Sequence, residues 1–337
     1  MSAHPAVLIS PPRAAGAWRL LPALFFSVLA SGFADVRVEK IDYKGWPNSY
    51  RISNPEVELV LTSDIGPRVI RYGFAGGQNL FWESPQTLGK TGSDKWELIG
   101  GHRLWHAPEA VPRTYAPDNS PVAVKIEGPG VRATQPLEPS TGLQKELVVH
   151  LALNGSRVTV VHRITNRNLW AVELSPWALT MMAPGGTSVA AFPPRGKHPE
   201  ILQPTHPLVM WAFTDFSDQR WQINKKYLIL RQDPKNAEPQ KAGFFNPNTW
   251  GAYLLGSDLF IKRYRADPAR AYTDFGCSYE TFTNADFLEL ETLGPLAKIE
   301  PGATIEHSEG WSLHGNIKLS SWTDAEIDRV VLPLASR

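Results

Sequence analysis

From Phe275 to Leu313 the chain reads FGCSYETFTNADFLELETLGPLAKIEPGATIEHSEGWSL, two runs of period-two alternation separated by a Pro301-Gly302 turn. Successive side chains of a strand point to opposite faces. Phe287, Glu289, Glu291 and Leu293 therefore share one side, and Leu288, Leu290 and Thr292 the other. One face suits burial, while the other carries two carboxylates beside an aromatic ring. Acids and rings together suit a sugar, because hydroxyls need acceptors and the C–H faces of pyranoses stack on aromatic rings.

The same alternation runs through Val57-Leu59-Leu61, Leu147-Val149-Leu151 and Val158-Val160-His162-Ile164. The last two runs flank Asn154-Gly155, a pair suited to a type I′ hairpin turn in which both central residues have positive φ. A second hairpin is expected from Tyr253–Leu255 to Leu259–Lys262 through Gly256-Ser257-Asp258. Helical periodicity is confined to Thr323–Val331, where Thr323 and Glu326 have capping-box spacing. The 29 prolines and 26 glycines are dispersed over many turns and do not pool into a linker. The fold class predicted is all-β, a large antiparallel β-supersandwich with a short C-terminal helix and a single domain over 35–337. Residues 195–227, with Trp211, Phe213, Asp215, Phe216, Asp218, Arg220 and Trp221, form an irregular insertion of the kind used for lids and binding loops.

Residues 1–34 read as a signal peptide. Arg13 and Arg19 form a basic n-region, Leu20–Ala30 is an apolar run too short to span a bilayer comfortably, and Gly32-Phe33-Ala34 offers small residues for cleavage. A periplasmic or extracellular protein with no stable membrane span after cleavage is the expectation. Without those two arginines the chain has 32 basic residues against 33 acidic, which gives no electrostatic support to a nucleic-acid partner. Cys277 is the only cysteine, so no intramolecular disulfide forms. Of twelve tryptophans, Trp82, Trp96 and Trp105 fall in one 24-residue window with His102 and His106 nearby.

The Phe275–Leu313 run, together with DIGPRVIRYGFAGGQNLFWESP (Asp64–Pro85), GGHRLWHAPE (Gly100–Glu109) and SPWALTMMAPGG (Ser175–Gly186), resembles the galactose-mutarotase-like, aldose 1-epimerase-related superfamily. The likeness is greatest to a bacterial branch whose domain has no assigned activity. It covers most of the chain after the first ~40 residues. It implies a carbohydrate ligand, no cofactor and, in a catalytic member, acid/base chemistry at the anomeric carbon.

By its place in a late strand before a Pro-Gly turn, Glu291 resembles the family's catalytic glutamate, with Glu289 in reserve. Arg68 resembles an arginine facing the sugar site. The family's acid histidine has no counterpart here, because Trp177 stands near its place. A tryptophan can stack on a sugar but holds no titratable proton, so His102 or His106 is expected to supply the acid and to share one concave pocket with Arg68, Trp105, Trp177, Glu289 and Glu291. The spacing of His102, His106 and Glu109 also suits a metal, but Pro108 breaks the helical geometry such a site needs; no metal is assigned. Arg263 and Arg265 share a strand face opposite Lys262, a face able to meet an acidic sugar. Two alternatives stay open: a non-catalytic carbohydrate-binding or cell-envelope protein, and a polysaccharide lyase acting on uronic acids with Tyr279 or Tyr264 as proton donor.

Overall fold

The computed structural model of the chain describes residues 35–336, and the expected signal peptide lies outside them. In chain order the first strands are β1 (Arg37–Tyr43), β2 (Trp46–Ser53), β3 (Val57–Thr62), β4 (Arg68–Phe74), β5 (His102–Ala107), β6 (Ala123–Ile126) and β7 (Gly130–Thr134). There follow β8 (Leu143–Leu151), β9 (Val158–Asn166), β10 (Val172–Met182), β11 (Thr187–Ala191), β12 (Leu208–Met210), β13 (Trp221–Ile223) and β14 (Tyr227–Arg231). The last are β15 (Gln240–Phe244), β16 (Asn248–Leu255), β17 (Asp258–Arg265), β18 (Tyr279–Thr283), β19 (Leu288–Leu293), β20 (Ala297–Ile299) and β21 (Thr304–His314), before helices α1 (Asp324–Val330) and α2 (Leu332–Ala335). Strand accounts for 45% of the described residues, as the alternation predicts.

Two antiparallel sheets result. An eleven-stranded sheet runs β1-β2-β3-β4-β5-β10-β19-β18-β15-β12, with β20 also paired to β10. A ten-stranded sheet runs β13-β14-β11-β16-β17-β21-β9-β8-β7-β6. The main core lies between them, where Tyr72, Phe81, Phe260 and Trp311 pack ring against ring at 5.5–6.1 Å. Leu288 and Leu290 of β19 enter this core. A smaller cluster forms on the outer side of the ten-stranded sheet, where Ile327 of α1, Val331 between the helices and Ala335 of α2 cover Val189, Ile229, Trp250 and Ile261.

Local details depart from expectation at two ends. Gly256-Ser257 does link β16 to β17, with Leu255 opposite Asp258 and Gly256 at φ +63°. The Asn154-Gly155 hairpin is wider than a type I′ turn. It closes with the Ala152 N–H on Arg157 O, and only Gly155, at φ +75°, is left-handed. Asn54 explains the width: its amide donates to Ala152 O and Gly155 O and so ties the loop to the other sheet. The capping box also fails to close. Thr323 makes no side-chain cap bond, and Glu326 instead accepts from Ser320 and pairs with Arg329.

Candidate functional site

The outer face of the eleven-stranded sheet, turned away from the second sheet, collects the charged residues. Strand register aligns them. Val69 lies opposite His102, so Arg68 and Arg103 are neighbours on the outer face. Leu179 pairs with both Arg103 and Glu291, and Glu291 pairs with Glu280. One row thus reads Arg68, Arg103, Leu179, Glu291, Glu280. The row to one side holds Trp105, Trp177 and Leu293; the row to the other holds Met181, Glu289, Phe282 and Lys241.

Glu291 is fully buried and doubly held, accepting from Trp177 Nε1 at 2.8 Å and from Lys241 Nζ at 3.0 Å through the same oxygen, Oε2. Lys241 Nζ also lies 2.8 Å from Glu280 Oε2. Desolvation works to lower Lys241, but the Glu280 and Glu291 carboxylates prevail and hold it charged well above the ordinary lysine range. Glu280 is driven far upward by burial, with Lys241 opposing. Burial and the neighbouring Glu291 charge raise Glu289 to about 7, against the pull of Arg103, whose Nη2 is 3.9 Å away.

Aromatic rings surround these charges. The Arg103 guanidinium lies 3.9 Å from the Trp105 ring centre and 5.3 Å from that of Trp96. Trp105 packs edge-on against Trp177 at 5.4 Å and Tyr115 at 5.0 Å. Trp211, from the irregular insertion, sits over Lys241 Nζ at 4.6 Å. Several polar atoms of this face are buried without a hydrogen-bond partner: Arg103 Nε and Nη1, Glu289 Oε1, Glu291 Oε1 and Trp96 Nε1. Buried polar atoms of a folded chain are otherwise almost always paired, so this face is a candidate surface for polar groups of a ligand.

Arg68, Trp105, Trp177, Glu289 and Glu291 are therefore gathered on one face. Arg68 is nonetheless fully engaged at its ends, donating to Gly100 O and Asp118 Oδ2, both at 2.6 Å. His102 and His106 are not in the group. On β5 they alternate with Arg103 and Trp105 and so point between the sheets, where neither can reach a ligand held at Glu291. His106 is buried with both ring nitrogens unpartnered, and burial, with help from Lys145, pushes it down to about 2. His102 bonds Thr180 Oγ1 at 2.8 Å and His162 Nε2 at 2.7 Å, and burial holds it well below the usual histidine range. It belongs to a polar network with His162, His307, Thr292, Glu309 and Lys262 inside the sandwich. His102, His162 and Glu309 present donor atoms within 4.8 Å of one another. Lys262, 2.8 Å from Glu309, already supplies the positive charge there, and the His102–His162 contact has hydrogen-bond length. Tyr279 also faces the inner core, and Tyr264 packs on His307 at 4.3 Å, which removes the proton donors that a lyase would need on the outer face.

Residue-by-residue reading missed Arg103, Lys241, Glu280 and Tyr115, and named Trp96 and Trp211 only as members of a tryptophan-rich window and of the 195–227 insertion. For Arg103 the signal was present: alternation in HRLWHA puts Arg103 with Trp105 and away from both histidines.

No protein-family profile matches the chain, and no curated protein matches it. Solved structures do. A Klebsiella pneumoniae protein provisionally assigned as an aldose 1-epimerase superposes with a TM-score of 0.57 at 12% identity, over 89% of this chain and 87% of that one. A galactose mutarotase-like protein from Lactobacillus casei gives 0.52 at 11%, over 79% and 100%. A galactose mutarotase related enzyme from Lactobacillus acidophilus gives 0.51 at 10%, over 82% and 98%. The chain has the galactose mutarotase-like fold.

Proposed function

We propose that the protein binds a carbohydrate on the outer face of the eleven-stranded sheet. The observation that carries this reading is the set of unpartnered buried atoms, Arg103 Nε and Nη1, Glu289 Oε1 and Glu291 Oε1, beside the Trp96, Trp105 and Tyr115 rings. Donors and acceptors side by side match vicinal hydroxyls, which both give and take hydrogen bonds. The rings offer an apolar surface for the C–H face of a pyranose. Export, read from residues 1–34, would make the ligand an extracytoplasmic sugar.

Calorimetric titration with a panel of neutral and acidic monosaccharides tests this. Trp105→Ala and Arg103→Met should each weaken the best ligand at least about tenfold, the value of one good contact. A panel without a binder, or binding unchanged in both variants, refutes it.

A second reading, anomeric epimerisation, is favoured by the placement of Glu289 near 7 next to a second carboxylate. A carboxyl that holds its proton half the time at neutral pH can deliver it to the ring oxygen as C1–O5 breaks, while Glu291 takes the proton of the anomeric hydroxyl; reclosure on the other face returns both. Two carboxyls then do what the family divides between a glutamate and a histidine. Polarimetry on freshly dissolved α-anomers reads it: Glu291→Gln and Glu289→Gln should each slow turnover about 10²–10⁴-fold with binding nearly kept. Without rotation change in the parent protein, the binding reading stands alone.

A further inference from the structure

We propose that a cleft on the outer side of the ten-stranded sheet is a second ligand site, one for an acidic saccharide. It stands apart from the site above, on the other sheet, and does not rest on that reading. The cleft has a volume of about 820 Å3, within the range of ligand pockets. Trp250, Arg263, Phe192 and Arg195, with Leu332 and Ala335 of α2, are among the residues that line it.

Its charge is one-sided. Arg195, Lys225, Lys226, Arg263 and Arg265 line it against one acid, Asp328. Asp328 is already used, bonded to Lys226 Nζ at 2.5 Å and Tyr227 Oη at 2.6 Å. Arg263 is used too, capping α2 by donating to Ala335 O and Leu334 O. The side chains of Arg195, Lys225 and Arg265 make no ion pair or hydrogen bond among the described residues. In a chain of net charge +1 this is a local concentration of cations, and a walled cleft strengthens its field.

Ring geometry selects the ligand class. Phe192 lies under the Arg195 guanidinium at 5.5 Å and against Phe244 at 5.0 Å. Trp250 and Tyr227 pack on each other at 6.0 Å and are 7% and 2% exposed. Tyr264, the fourth ring of the lining, is half-buried and packs on His307 at 4.3 Å. The exposed polar side chains of the lining are Arg195, Lys225, Lys226 and Arg265 together with Asn248, Ser308 and Ser336. Carboxylates for the cations and hydroxyls for the polar groups describe an acidic saccharide. Arg265 and Arg263 are the strand pair whose shared face the sequence already singled out.

The test is calorimetric titration of the purified protein with digalacturonate at low and moderate salt. The expected result is binding that weakens with salt and falls about 100-fold in Arg195→Glu/Arg265→Glu, about tenfold for each charge-assisted hydrogen bond removed. Lys225→Glu, a single exposed change, should weaken it about tenfold with an unchanged melting temperature, which separates loss of site from loss of fold. Trp105→Ala should leave digalacturonate binding intact. The proposal is overturned if digalacturonate does not bind, if the reversals leave its affinity unchanged, or if Trp105→Ala abolishes it. It is equally overturned if inorganic sulfate or adenosine monophosphate displaces digalacturonate at equal concentration.

Discussion

Lys241→Met should be among the most damaging single substitutions on the outer face, and its cost should depend on pH. Lys241 is the only lysine or arginine among the described residues within 4 Å of Glu280 or Glu291, at 2.8 and 3.0 Å. Methionine keeps the length and most of the volume, so the loss is chiefly of charge. Removing one partner of a buried ion pair costs about 3–5 kcal/mol, because the remaining charge is stranded. That is a large part of the ~5–15 kcal/mol by which a domain is stable. The stranded groups can escape by protonation. Burial already holds Glu280 well above its ordinary range while Lys241 pulls it down, so in the variant it rises further. A carboxyl whose folded pKa is raised binds its proton more tightly folded than unfolded. Stability is then greatest below the unfolded value of about 4.3 and is lost as pH rises toward the folded one. The deficit of the variant should therefore be largest near pH 8 and shrink toward pH 5. Urea unfolding of parent and variant at both pH values, followed by tryptophan fluorescence, measures it. A deficit under about 1 kcal/mol at pH 8, or one equal at the two pH values, would refute the view that Lys241 neutralises this carboxylate cluster.

Glu289→Gln should remove a titration near 7. Because that pKa is raised, parent stability is lost as pH climbs from about 4.5 to 7, and the variant should hold its stability better at pH 8, as paired urea melts would show. His106→Leu should fold, bind sugar like the parent and gain about 1 kcal/mol, since it removes a buried group with two unpartnered nitrogens. Its pH signature has the opposite sense: with the folded pKa pushed down to about 2, the parent loses stability as pH falls through the unfolded value of about 6.5, and the variant should lose less between pH 7 and 5. Trp177→Phe keeps the ring but deletes the donor to Glu291; a loss of about 1–3 kcal/mol in thermal or urea unfolding is expected.

Local period-two patterns carried the fold because each sheet face has a different fate, and a one-residue slip would bury Glu289 and Glu291 in the apolar core. LELETL of β19 sends Leu288 and Leu290 inward and both glutamates outward. Turn and cap details were less legible. At Asn154-Gly155 the deciding contact comes from Asn54, about a hundred residues away, and the capping box yielded to Ser320, which competes for Glu326. Neither competitor belongs to the local motif.

The site was half legible for the same reason. Every residue of the expected pocket lies on β4, β5, β10 or β19, and sequence fixes which side chains of one strand share a face. It does not fix which strands are neighbours. The row from Arg68 to Glu280 joins five strands spread over more than two hundred residues, and Lys241 enters from β15 with no motif around it. The histidines show how the local rule decides when it is applied. Seeking an acid to replace the one displaced by Trp177 leads to His102 and His106, but Trp105 belongs to the same expected pocket, and residues 102, 105 and 106 cannot all face one side of a strand. Placing Trp105 on the ligand face makes Arg103 its companion and sends both histidines into the interior, as observed. Any acid/base role proposed for this face therefore falls to its carboxyl groups, and burial beside Glu291 raises Glu289 among them to about 7.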